Sequence, residues 1–198
     1  MSNMESLQDL LQDELKDIYD AEKQLTKALP KLAKKASNEE LRDALEQHLQ
    51  QTEGHVERLE RIFERLGMPA KGKRCEGMKH LIDEGSDMIG DADEEGTRDA
   101  VMIAAAQKTE HYEIASYGTL RTWANVLGLT EIAAMLEETL EEEKDADRTL
   151  TAIAESFVNE EAAEEGRPAT ALPGRRGGRA RHMAADAGGR TGARGRSR

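Results

Sequence analysis

Six acidic residues, Glu22, Glu53, Glu110, Glu113, Glu143 and Asp147, stand on or beside helical stripes that otherwise carry apolar side chains. Glu22 interrupts the series Leu7, Leu11, Leu15, Ile18, Leu25, Leu29. Glu110 falls within Ile103, Ala106, Ile114, Tyr117, Leu120, Ala124, Leu127, with Glu113 on the same side one turn later. Glu143 and then Asp147 fall within Ile132, Leu136, Leu140, Leu150, Ile153, Phe157. Glu53 stands to the side of the stripe Leu41, Leu45, Leu49, Thr52, Val56, Leu59, Phe63. A carboxylate turned toward a dry core is costly unless a positive charge meets it. Several meeting at one point repel, and a pair of divalent or trivalent cations is their natural counter-charge. An oxygen-rich site of this kind favours iron or manganese over zinc or copper.

The spacing says how such a point forms. Glu22 and Glu53 are 31 residues apart, and Glu110 and Glu143 are 33 apart, as in a weak internal duplication. At ~1.5 Å rise per residue, a long helix, a connection and a returning helix bring both members of each pair to one level. Four helices then each aim a glutamate inward, the arrangement of carboxylate-bridged di-iron and di-manganese bundles. Such bundles add a Glu-x-x-His on two helices, but Val56 and Ala146 occupy the histidine positions here. Glu113 and Asp147 are the substitutes. Glu53 and Glu110 are expected to bridge, with Glu22 and Glu113 completing one metal and Glu143 and Asp147 the other. In a chain that is 34% charged, any single one of Glu22, Glu53 or Glu143 is as readily a solvated or salt-bridged residue; the register of four carries the expectation.

The supporting elements are all helical. Aromatics are 3% of the chain, and the apolar runs keep helical rather than alternating spacing, so the fold class is all-α. Helix one is expected from about Met4 to Lys35, kinked or broken at Pro30. A Ser37/Glu40 capping box starts helix two, which ends at Leu66 before Gly67. Cys75 to about Ile89 is a shorter helix in the crossover, helix four follows Gly96 and closes at Gly128, and helix five begins at Thr130. The bundle takes residues 1–160 and a basic tail takes 161–198. From Gly166 onward nine Arg and one Asp give +8, which leaves −20 of the net −12 on residues 1–165. The tail is rich in Gly and Arg and is expected to be disordered. It is either a plain solvated tail or a contact for nucleic acid or an acidic partner.

Other residues are assigned less. His48 and Thr52 face inward as core hydrogen-bonding groups, while His55 is one position early for a Glu-x-x-His ligand and points elsewhere. His111 is read as a surface or outlying residue, and Tyr19 and Tyr117 as packing. The single cysteine, Cys75, excludes an intramolecular disulfide and a thiolate metal cluster. No phosphate loop, nucleophile elbow or zinc-finger spacing occurs. Neither a signal peptide nor a membrane-spanning run is present, so the chain is expected in the cytoplasm without membrane contact.

Several blocks occur together in order: Asp17–Leu25 with Ala28-Leu29-Pro30; His48 to Thr52-Glu53 with Val56–Glu60; Glu110–Ala115 with Tyr117–Leu120; and Thr139-Leu140 with Glu142-Glu143 and Asp147. Over about residues 5–160 they resemble the YciE/YciF stress-protein family. That resemblance implies a ferritin-like bundle of five helices, related to rubrerythrin, with a Glu-x-x-Glu on the third bundle helix at Glu110 and Glu113. It also implies a homodimer rather than a storage shell. Two functions follow: a stress-associated dimetal protein handling iron, oxygen or peroxide, or a non-enzymatic dimeric scaffold whose tail contacts nucleic acid.

Overall fold

A computed structural model describes residues 4–165; the basic segment from Gly166, with the disorder and the nucleic-acid contacts expected of it, lies outside the described residues. Those residues form α1 (Leu7–Lys35), α2 (Glu39–Arg65), α3 (Glu76–Asp91), α4 (Glu95–Val126) and α5 (Thr130–Ile153). A π-helical turn (Ala154–Val158) and α6 (Asn159–Glu165) follow. There is no strand among the described residues, and no helix among them is long and apolar enough to cross a membrane.

Local chemistry sets the boundaries. Ser6 caps α1 by accepting from the Asp9 amide, and Cys75 Sγ caps α3 by accepting from the Met78 amide. The cap of α2 is Asn38, one residue beyond the expected Ser37: its side chain accepts from Leu41 N at 2.9 Å. Asp99 of α4 explains the displacement, because its carboxylate takes the amides of Ser37 (3.0 Å) and Asn38 (2.7 Å) and fixes the turn. Gly67 and Gly128 adopt φ of 66° and 73° past the ends of α2 and α4, a region where a side chain is penalised. Pro30 does not break α1, which runs through it as one helix. Proline sits here on the exposed face, where water can serve the carbonyl that lost its intrahelical donor.

The short links after α1 and α4 make two antiparallel hairpins, α1 with α2 and α4 with α5. The pairs α1·α4 and α2·α5 close the four-helix bundle, and α3 lies in the crossover against α4 and α1. Gly85 of α3 permits that approach, since a Cβ there would stand 2.9 Å from Ala105 Cβ. The core runs the bundle's length, from Leu11, Leu15, Phe63 and Leu136 at one end to Leu29, Leu41, Ile103 and Leu150 at the other. After Ile153 the π turn adds a residue to the helical phase, which buries Val158 and leaves Phe157 half-buried. The helical body continues past residue 160 to Glu165, whose carboxylate takes the Gly96 and Thr97 amides, both at 2.8 Å, at the start of α4.

Candidate metal centre

Midway along the bundle, where a core of leucines would be expected, six polar side chains converge. They are Glu22 from α1, His48 and His55 from α2, Glu110 and Glu113 from α4, and Glu143 from α5, all buried. They fall into two groups: His48, Glu110, Glu113 and Glu143, and Glu22, His55 and Glu143. Within each, one ligand atom per residue lies within 4.8 Å of every other. Glu143 belongs to both. Its Oε2 lies 3.8 Å from His48 Nε2 and its Oε1 lies 3.0 Å from His55 Nδ1, so one carboxylate spans the two groups. His48 Nε2 is 3.3 Å from Glu110 Oε1, and His55 Nδ1 is 3.5 Å from Glu22 Oε1.

Hydrogen bonding leaves this cluster unsatisfied. Glu22 Oε2, Glu110 Oε2, both oxygens of Glu113 and both of Glu143 are buried without a hydrogen-bond partner. The His55–Glu143 approach is short enough for charge attraction but is not aligned for a hydrogen bond. Only Glu22 Oε1 is clearly served, by the buried Tyr117 hydroxyl that donates to it. Orphaned buried oxygens each cost free energy, and several pointing at one space ask for a cation. Burial pushes the Glu110 and Glu113 carboxyls well above the ordinary 4.5, with Glu143 and Glu22 adding repulsion to both; His48 opposes the rise at Glu110. Glu143 is raised by burial against the opposing pull of His55. For His55 itself, burial works against the charge but Glu142, Glu143 and Glu22 overcome it, and its pKa is pushed up to about 12.

A second ring of polar groups holds His55. Its Nε2 lies 3.0 Å from Glu142 Oε2, which also accepts from Arg58 Nη1 at 2.8 Å. Arg58 Nη1 donates to Thr139 Oγ1 at 2.6 Å and Nη2 to Glu138 Oε1 at 2.9 Å. The hydrogen bond with His55, opposed by burial and helped by Arg58, brings Glu142 down to about 2. Glu142 therefore engages the outer ring nitrogen and leaves Nδ1 facing the cluster, the arrangement that orients histidine ligands in metal sites.

Of the residues expected from sequence, the structure brings Glu22, Glu110, Glu113 and Glu143 together. Glu53 is corrected: it is exposed and lies outside both groups, because the inward face of α2 passes through His48, Thr52 and His55 instead. Asp147 is also outside. It is half-buried and accepts from Gln107 Nε2 at 3.0 Å, with the exposed His111 at 3.4 Å. The expectation that His55 points elsewhere is likewise corrected, and His48 reaches a carboxylate rather than only the core. Thus α2 supplies two imidazoles where a fourth glutamate was expected. The signal was present in the 4–3 spacing of His48, Thr52 and His55, which continues Leu41 and Leu45 toward Leu59 and Ile62. Cys75 stands apart, 3.1 Å from Tyr112 Oη, with burial pushing its thiol up to about 11.

Four carboxylates and two imidazoles, with orphaned oxygens between them, fit iron or manganese by donor type. Comparison with known proteins adds a family. A family model described as a domain of unknown function (DUF892) matches residues 6–163. The protein YciF of Escherichia coli (strain K12) is 47% identical over 161 residues, which is 81% of this chain and 97% of that protein. The crystal structure of the E. coli stress protein YciF superposes with a TM-score of 0.75 at 47% identity, covering 79% of this chain and 99% of that one. YcfI from Rhodopseudomonas palustris gives 0.74 at 42%, covering 75% and 95%.

Proposed function

The chain belongs to the DUF892 family of YciF-like proteins, and we propose that its bundle is a dinuclear iron or manganese centre that handles iron, oxygen or peroxide under stress. The observation that carries this reading is the spanning position of Glu143, one buried carboxylate with an oxygen toward each of two histidine-containing groups. His48, Glu110 and Glu113 would hold one ion, Glu22 and His55 the other, and Glu143 both. Bound there, such a pair supplies Lewis acidity and one-electron chemistry. The chain's own part is positional. Tyr117 orients Glu22, Glu142 and Arg58 orient His55, and the leucines above and below exclude bulk water. The stress role is supported by the name of the E. coli relative, and cytoplasmic action as a homodimer follows the same reading.

The test is elemental analysis of full-length protein purified without chelator, followed by Mn²⁺ titration, alongside Glu143→Ala. About two ions per chain in the wild type is the expectation for a site of this kind, with uptake largely lost in the variant. Near-zero iron and manganese in both proteins, with no Mn²⁺ uptake, refutes it and leaves a helical scaffold.

A further inference from the structure

The two imidazoles of α2, seven residues apart in sequence, lie on one seam with α5 with their ring centroids 6.4 Å apart. The seam closes differently over each. At His55 it is sealed: Arg58 and Glu142 cover the ring from outside, Thr139 packs beneath the guanidinium, and neither His55 nor Glu22 has any exposed surface. At His48 it is open. A cavity of about 60 Å³ lies there, lined by the small Ala44 of α2 and Ala146 of α5 together with the longer Gln47, Gln51, Asp145 and Thr149. His48 and Glu110 form part of its wall, whereas Glu22, His55, Glu113 and Glu143 do not. Both wall residues also keep an unpartnered buried atom, His48 Nδ1 and Glu110 Oε2.

Resting on the dimetal reading above, we infer that the His48–Glu110 end is the binding point for a small anionic ligand that enters through the α2–α5 seam. Ala44 and Ala146 set its size limit, and the His55–Glu22 end is closed to ligands. A cavity of that volume has room for about two groups the size of water, at ~30 Å³ each, enough for a ligand of two or three heavy atoms. The two halves of the centre therefore differ in role. His55, locked by Glu142, belongs to a permanent half, and His48, without such a lock, belongs to the half that exchanges ligands.

The test uses full-length protein loaded with Co²⁺, whose visible absorption reports its ligands, titrated with azide. Wild-type protein is expected to saturate at one azide per chain. Ala44→Leu and Ala146→Leu place a good helix former on opposite walls of the opening, outside both ligand groups. Each is expected to keep its Co²⁺ while binding azide about tenfold more weakly or worse, as overfilling a packed space does. Azide affinity unchanged from wild type in both cobalt-loaded variants overturns the inference and leaves the metal centre standing. Wild-type protein that takes up no Co²⁺ overturns the dimetal reading, and the inference falls with it.

Discussion

Replacing Glu113 by Gln is expected to stabilise the metal-free protein and to weaken the metal-loaded one, an inversion that damage to an ordinary core cannot produce. Glu113 has no exposed surface, and neither of its oxygens has a hydrogen-bond partner. Burial, and then Glu143, Glu22 and Glu110, push its carboxyl well above 4.5. A buried acceptor left unsatisfied costs about 1–3 kcal/mol, more when charged. Glutamine has nearly the same shape and places an NH₂ donor among the surrounding carboxylates, so the metal-free variant gains about that amount. For a chain of this length each kcal/mol moves Tm by about 2–4 °C. With metal present the order reverses. Ligand at a thousand times its Kd adds about 4 kcal/mol to the wild type, and a variant lacking one carboxylate binds more weakly and gains less. Thermal melts followed by circular dichroism, once in chelator and once in excess Mn²⁺, read both halves. A variant that melts below wild type in chelator and shows the same Mn²⁺ increment refutes the reasoning, because Glu113 is then a structural residue and no ligand.

Three further outcomes follow. Metal-free protein should lose stability as pH rises from 5 to 8, opposite to the usual behaviour of native carboxylates. Glu110, Glu113 and Glu143 hold protons more tightly folded than unfolded, so the folded state is penalised above 4.5. His55, raised to about 12, stabilises fully below its ordinary 6.5 and loses that contribution as pH climbs beyond it. Glu142, lowered to about 2, changes nothing above its ordinary 4.5. Urea midpoints that rise across this window would contradict the assignment of charge. Glu142→Ala removes the group that orients His55, and the expected loss is about 10–100-fold in Mn²⁺ affinity by calorimetry; an unchanged affinity means that the ring does not bind metal. Glu53→Gln, on the exposed side of α2, should leave Mn²⁺ stoichiometry intact and stability within about 0.5 kcal/mol in urea, and a loss of metal would restore Glu53 to the site.

The fold and four of the six residues of the candidate centre were legible in the sequence for one reason: an acid on an apolar stripe is conspicuous. Glu22, Glu110 and Glu143 break runs of aliphatic residues at helical spacing, and the structure places all three together. Helix α2 misled because hydropathy centred its stripe on Leu49 and Val56, both only half-buried, and this turned His55 away and left His48 as a core group without a ligand role. Histidine is neither apolar enough to mark a core face nor charged enough to stand out against one. A rotation of about half a residue's angle, at ~100° per residue, therefore decided whether Glu53 or His55 pointed inward. Asp147 failed differently: it lies one turn from Glu143 but is engaged by Gln107, a partner no spacing rule reveals. The capping displacement at Asn38 has the same character, since it depends on Asp99, 61 residues later.

The charges of the centre also say which cations suit it. Glu22, Glu110, Glu113 and Glu143 carry four negative charges when ionised, and the neighbouring pair of Glu142 and Arg58 cancels itself. With both imidazoles neutral, two divalent ions bring the buried sum to zero, the condition under which a low-dielectric interior is least costly. Two trivalent ions leave a surplus of two positive charges. At ~4 Å and an effective dielectric of ~20, each unpaired neighbour is worth about 4 kcal/mol, too much for the bundle to absorb through packing alone. In the sealed half the further acid, Glu142, is already engaged by Arg58. On the inference above, an anion from solvent reaches the surplus beside His48, where the cavity lined by Ala44 and Ala146 opens the seam. On the proposed dimetal reading, a preference for divalent ions at rest and a demand for a small anion beside trivalent ones follow from one charge count.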